Sequence, residues 1–202
     1  MRKVILIATI LIVGFLTAPN LYAALFTEDF ESDLSNWTGK NQGSHNGSIV
    51  QDPFNADNHV LQFTKLNAGG DIFTINTFSS SNGFILSFDY LGDANSTEGS
   101  GGFIGYSYGF AGTHKWLAGA DSDYNIAIKL PDTGNWEHIE IPFNATGNIH
   151  LMLEEYRGSD GTIGNAYFDN IELSAVPVPA SAWLLISGIA GLVGIKKRRS
   201  IR

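Results

Sequence analysis

Residues 84 to 90 read FILSFDY, and every second side chain (Phe84, Leu86, Phe88 and Tyr90) is large and apolar. Successive side chains of a strand point to opposite faces, so this spacing makes a ribbon with one apolar face. The pattern recurs along the chain. Ile126, Ile128 and Leu130 alternate with Lys129, and Ile139, Ile141 and Phe143 alternate with Glu140. Ile149, Leu151 and Leu153 share one side, as do Tyr167, Ile171 and Leu173. Shorter strands are expected at 48–51, 59–65, 71–76, 103–110 and 115–118, and Gly, Asn, Asp and Ser clusters separate the runs. Helical periodicity is almost absent between residues 24 and 175. Many short amphipathic ribbons separated by turns predict an all-β fold, a two-sheet antiparallel jelly-roll-like sandwich.

Charge and cysteine content narrow the setting. All twenty acidic residues lie between Glu28 and Glu172, where only Lys40, Lys65, Lys115, Lys129 and Arg157 oppose them; five positive against twenty negative charges leave −15. Such a body repels nucleic acid and anionic lipid, and suits divalent cations or neutral sugars. The bland alternative is solubility. There are no cysteines, so no disulfide braces the fold and no thiol chemistry is available.

The two ends differ from the body. Arg2 and Lys3 precede an apolar run from Val4 to Leu16, then Pro19 and Asn20, then Ala23 at a cleavage point. This is the layout of a signal peptide over residues 1–23, with an uncleaved anchor as the alternative. From Val176 to Ile195 the chain carries no charge for about twenty residues, near the length that crosses a bilayer. Lys196, Lys197, Arg198 and Arg199 follow at once and form a basic anchor on the cytoplasmic side.

The order of these tail features carries a resemblance. Val176-Pro177-Val178-Pro179-Ala180, an apolar helix with Gly188, Gly191 and Gly194, and a terminal basic cluster resemble the PEP-CTERM sorting signal of Gram-negative bacteria, most closely its VPLPA subclass. Val178 stands where the parent pattern has Glu and the subclass has Leu. The resemblance implies a tail at 176–202 with a transmembrane sorting helix. It implies transient anchoring in the inner membrane and processing by an exosortase-type membrane protease. It also implies a link to exopolysaccharide and biofilm.

A second resemblance spans the body. FTEDFESDLSNW near the start and AYFDNIEL at the end of the domain resemble the frame of jelly-roll galactose-binding-like and carbohydrate-binding modules. The resemblance implies a structural calcium between Glu31 and Asp169. Strand parity adds a physical argument, because Asp169 falls in phase with Tyr167, Ile171 and Leu173, the expected inward set. An inward carboxylate needs partners. Calcium, with Asp29, Glu31 and Asp57 as further oxygen donors, would supply them; backbone N–H groups at a strand end are the other solution.

Catalytic constellations are lacking. Glu154 and Glu155 are adjacent, hence on opposite faces of a strand, and Glu137 and Glu140 also differ in parity. A glycosidase needs two carboxylates flanking one bond. The five histidines have no metal spacing. The chain is therefore read as not an enzyme. Sugar binding needs aromatic platforms, and the candidates are Tyr106, Tyr108, Trp116 and Tyr156. Tyr106 and Tyr108 share a face with Ile104 and Phe110, which is either a groove lining or core. The expectation is an exported surface or matrix protein, with a signal peptide at 1–23, a β-sandwich at 24–175 and a sorting tail at 176–202. Its expected role is non-catalytic binding or structure within an extracellular polysaccharide matrix, through an exopolysaccharide or other glycan. A carbohydrate-active enzyme or an isolated carbohydrate-binding module is the alternative.

Overall fold

The computed structural model describes residues 23–63, 72–96, 99–110, 113–120, 126, 128–157 and 166–176. The expected signal peptide, apart from Ala23, and the expected sorting tail beyond Val176 fall outside the described residues. The compact unit runs from Ala24 to Val176. Its twelve strands are β1 (Ala23–Glu28), β2 (Trp37–Thr38), β3 (Gly47–Gln51), β4 (His59–Phe63), β5 (Ile72–Thr74), β6 (Phe84–Gly92), β7 (Ser100–Ser107), β8 (His114–Gly119), β9 (Ile128–Lys129), β10 (Glu137–Phe143), β11 (His150–Arg157) and β12 (Ala166–Ala175). One 3-10 turn at Lys40–Gln42 is the only helical element among the described residues.

Two six-stranded sheets form the expected sandwich. The first, sheet A, has the order β10-β6-β12-β4-β3, with β1 also paired to β12. The second, sheet B, has the order β2-β5-β11-β7-β8-β9. A strand has two edges, and β6 fills one edge of β12. β4, which meets β12 at Tyr167 and Phe168, must therefore share the other edge with β1. β8 and β9 pair in parallel, a departure from the all-antiparallel expectation.

The core forms where the period-two patterns of both sheets meet. Phe84, Leu86, Phe88 and Tyr90 are fully buried, as their spacing predicts, and face Ile104, Leu151 and Leu153 of sheet B. Burying each such side chain is worth about 1.5–3 kcal/mol, so this layer dominates the stability of the fold. The sheets also interlock by rings. Tyr106 of β7 stacks on Phe143 of β10 at 5.4 Å, and Tyr90 of β6 accepts a hydrogen bond from the Gly102 N–H of β7 at 3.2 Å.

Two expectations change. The strand expected at 103–110 ends at Ser107 and begins at Ser100, and the chain turns away over 108–110. In β12 the phase argument is overturned. Asp169 pairs with Asp89 and Glu172 with Ser87, so Asn170 and Ile171 together oppose Phe88 in a β-bulge. Asn170 sits at φ 48°. The extra residue shifts parity by one, so Phe168, Ile171 and Leu173 face the core while Tyr167 and Asp169 face outward.

Candidate functional site

The outer face of sheet B carries a second apolar cluster. Ile104 of β7 and Leu151 and Leu153 of β11 point into the core, so Phe103 and Met152 point out. Phe73 of β5, Trp116 of β8 and Ala120 join them, and Phe110, Ile126 and Tyr156 pack against the group. A solvent-side sheet face is ordinarily polar, but here Phe73, Phe103, Ala120 and Met152 are at most 1% exposed, so the cluster is a covered second core with only its edge open to solvent. Phe103 is the centre of the cluster. Its ring lies 5.5 Å from Trp116 and 6.4 Å from Tyr156, the latter edge-on at 90°. Gly119 makes room for it, since a Cβ there would overlap the Phe103 ring.

Polar groups rim the cluster. Glu154, buried, lies between Met152 and Tyr156 in the outward phase of β11. His150, on the same phase, meets the Thr74 carbonyl through Nδ1 at 2.6 Å and packs 4.3 Å from the Phe110 ring. His114 lies 5.5 Å from Trp116. Trp116 is itself 7% exposed, while Tyr156 is half-buried at the edge.

Of the four aromatic candidates, Trp116 and Tyr156 thus come together around Phe103. Tyr106 and Tyr108 do not join them. Tyr106 is core, and burial followed by the neighbouring Tyr108 hydroxyl pushes its phenol up. Tyr108 is 45% exposed, edge-on to Tyr106 at 5.7 Å. Phe73, Phe103 and Met152 were missed in the sequence. Their alternation with Ile72, Ile104 and Leu151 was visible, but runs apolar on both phases carry no clean period-two signal.

The outer face of sheet A holds the carboxylate candidates. Asp169 is 3% exposed, and each of its oxygens meets a donor. Oδ1 accepts the Asn170 N–H at 2.7 Å, and Oδ2 accepts the side-chain amides of Asn58 at 3.0 Å and Asn170 at 3.3 Å. Burial, then the charges of Asp89 and Glu31, push its pKa up against those bonds. Glu31 accepts the His59 N–H at 2.8 Å and contacts His59 Nδ1 at 3.0 Å; the backbone bond is the main cause holding its pKa down. Asp29 is engaged in a local turn with the Glu31 N–H at 3.2 Å, and the Asp57 N–H bonds Asn55. No group of three or more His, Asp or Glu side chains among the described residues is arranged to hold a metal ion. Calcium takes six to eight oxygen ligands, and the oxygens of Asp169 and Glu31 already face N–H donors. Among the described residues, Asp29, Glu31, Asp57 and Asp169 are therefore not gathered into a set that fits that ion.

A polar pocket of about 260 Å³ lies where the end of β1 meets the bulge, lined by Thr27, Glu28, Asp29, Asn170, Ile171 and Glu172. Glu28, missed in the sequence, is buried and collects three donors: the Phe30 N–H at 3.2 Å, Asn36 Nδ2 at 3.3 Å and Trp37 Nε1 at 2.9 Å. It fixes the chain between β1 and β2. Glu154 and Glu155 face opposite sides of β11, as expected, with Glu155 on the core side and fully buried.

No protein-family model matches the chain, and no curated protein matches it in sequence. The fold is similar to that of the CBM22-1 xylan-binding domain of Xyn10C from Paenibacillus barcinonensis, at 14% identity and a TM-score of 0.52, over 80% of this chain and 99% of that one. It is also similar to the C-terminal family 22 carbohydrate-binding module of Clostridium thermocellum Xyn10B, at 13% identity and a TM-score of 0.46, over 79% and 97%. A cleaved adhesin domain of Lys-gingipain from Porphyromonas gingivalis matches at 18% identity and a TM-score of 0.45, over 74% and 97%. At 14% identity the likeness to the first of these bears on the sandwich fold alone.

Proposed function

We propose that this chain is an exported, non-catalytic glycan-binding protein of the cell surface or extracellular matrix. The observation that carries the reading is half-buried Tyr156 at the edge of the aromatic cluster on the outer face of sheet B. Sugar rings present C–H faces that pack on aromatic rings, and their hydroxyls bond carboxylates; Tyr156 at the cluster edge, with Glu154 two residues before it on the same face of β11, offers both. The first of the similar folds is a xylan-binding module, which supports a polysaccharide as the partner. The acidic body favours a neutral polysaccharide over a uronate polymer, which it would repel. Glu154 and Glu155, on opposite faces, do not pair across one bond, which supports a binding rather than a hydrolytic role.

The tail reading belongs to the same proposal. Residues 176–202 act as a PEP-CTERM-type signal, and an exosortase-type protease removes the apolar helix after export. The mature protein then lacks that segment; recovering the full-length mass from the inner membrane of an exosortase-bearing host refutes this part.

The binding test is titration of the purified protein with xylan, mannan and a mixed-linkage glucan, with alginate as the charged control. Saturable binding to a neutral polymer is expected. Tyr156→Ala should weaken it about 3- to 10-fold, the worth of one aromatic contact. No saturation with any neutral polymer, or affinity unchanged by Tyr156→Ala, refutes the assignment to this face.

A further inference from the structure

We infer that a closed ring of hydrogen bonds on the outer face of sheet A does the bracing that the resemblance assigns to a structural calcium, so that the sandwich is held without a divalent cation. The ring starts at Trp136, whose Nε1 donates to Asp52 Oδ1 at 3.2 Å. Asp52 Oδ2 accepts Asn58 Nδ2 at 3.1 Å, and the same Nδ2 donates to Asp169 Oδ2 at 3.0 Å. Asn170 Nδ2 donates to Asp169 Oδ2 at 3.3 Å and to Asp89 Oδ2 at 2.8 Å. Asp89 Oδ1 meets His138 Nδ1 at 2.7 Å. Trp136, just before β10, and His138, within it, stand two residues apart, so the backbone between them closes the ring.

The donor count explains why no cation is needed. A primary amide has two N–H bonds. Asn58 gives its pair to Asp52 and Asp169, and Asn170 gives its pair to Asp169 and Asp89. Three carboxylates that would otherwise repel one another are thereby separated by N–H donors. Those N–H groups take three of the roughly four acceptor sites of Asp169, which leaves a calcium ion too few free oxygen lone pairs there. Asp52 shows the strength of the arrangement. Burial works to raise its pKa, yet the Phe54 N–H, the Asn58 amide and the Trp136 indole outweigh burial and hold it below the ordinary range.

The ring links β6, β10, β12 and the β3–β4 connection, which are distant in sequence. The Asp52 N–H also bonds the Asn58 carbonyl at 2.9 Å, which closes the 52–58 connection on itself. That connection is therefore a preformed clamp. The inference does not depend on glycan binding.

The test is thermal unfolding of the purified full chain in EDTA and in millimolar calcium chloride, with metal analysis of the protein as isolated. The wild type should melt within about 1 °C in the two buffers, because a cation that does not bind the native state cannot raise its melting temperature. Asn58→Asp replaces a donor by a third carboxylate between two others. It should melt lower in EDTA and regain part of the loss in calcium, having become a cation site. Asn58→Ala should melt lower in both buffers alike. A calcium-induced rise of about 5 °C or more in the wild type, or one calcium per chain as isolated, overturns the inference. If Asn58→Asp does not fold, the wild-type pair and the metal analysis decide alone.

Discussion

Removing one oxygen atom from Tyr90 tests how the two sheets are joined. The Tyr90 hydroxyl is buried, accepts the Gly102 N–H from the opposite sheet at 3.2 Å and donates to Asp132 Oδ1 at 3.3 Å. Burial, then the charge of Asp132, push its pKa far above the ordinary value, so it remains a neutral donor. Three glycines hold the space around it. A Cβ on Gly92 or Gly102 would crowd the Tyr90 ring, and one on Gly101, at φ +141°, would press on its hydroxyl. Tyr90→Phe keeps the ring and the packing. It leaves the buried Gly102 N–H without its side-chain acceptor, which costs about 1–3 kcal/mol, and removes a long bond to a half-buried carboxylate, worth about 0.5 kcal/mol. The sum is about 1.5–3.5 kcal/mol, or roughly 3–14 °C in melting temperature for a unit of this size. Differential scanning calorimetry at pH 7 reads it directly. Tyr167→Phe is the control, because its hydroxyl only receives the Gln62 amide on the outer face at 3.0 Å. A Tyr90→Phe melting temperature within about 1 °C of wild type, or a loss no larger than that of Tyr167→Phe, refutes the reasoning.

Acid should stabilise the fold before it destabilises it. Asp132 and Asp169 have pKa values raised from 3.8, chiefly by burial, so the native state binds protons before the unfolded chain and stability rises as pH falls through the raised values toward 3.8. Asp52, held below 3.8, contributes stability that is lost at still lower pH. A melting temperature that only declines from pH 7 to pH 4 contradicts this, and Asp132→Asn should flatten the rise. Gly119→Ala places a methyl in the Phe103 ring and should cost about 1–3 kcal/mol, with a change in Trp116 fluorescence that a global effect alone does not give. Glu28→Ala strands the Trp37 indole N–H and the Phe30 N–H; a loss of about 2–4 kcal/mol is expected in chemical denaturation, and a loss under about 1 kcal/mol counts against it.

The fold was legible where one phase of a strand is apolar and the other polar. β6 and β10 are of this kind. It was illegible where hydrogen bonds rather than burial decide. β1 and β2 are short and are placed by Glu28, whose role depends on Trp37 nine residues away. β9 pairs through two residues only. The site was half legible for the same reason. Trp116 and Tyr156 could be picked out by residue type, but their meeting at Phe103 depends on the register of β7 between β11 and β8. Asp169 was singled out correctly as a carboxylate that needs partners. Its direction was misjudged, because a bulge leaves no mark on an apolar pattern that resumes one residue later.

That bulge has a consequence for the length of the chain. Without Asn170, β12 would read Phe168, Asp169, Ile171, Glu172, Leu173, a perfect alternation with every apolar side chain facing inward. The hydrophobic code of the strand is thus complete without this residue, and its pairing with β6 would be smoother. Asn170 is surplus to folding by burial. What it adds is a backbone N–H and an amide aimed at Asp169 and Asp89. A one-residue deletion at 170 should still give a folded sandwich, but one with two adjacent outward aspartates no longer held apart. In this molecule a single additional residue works as a rivet rather than as a brick.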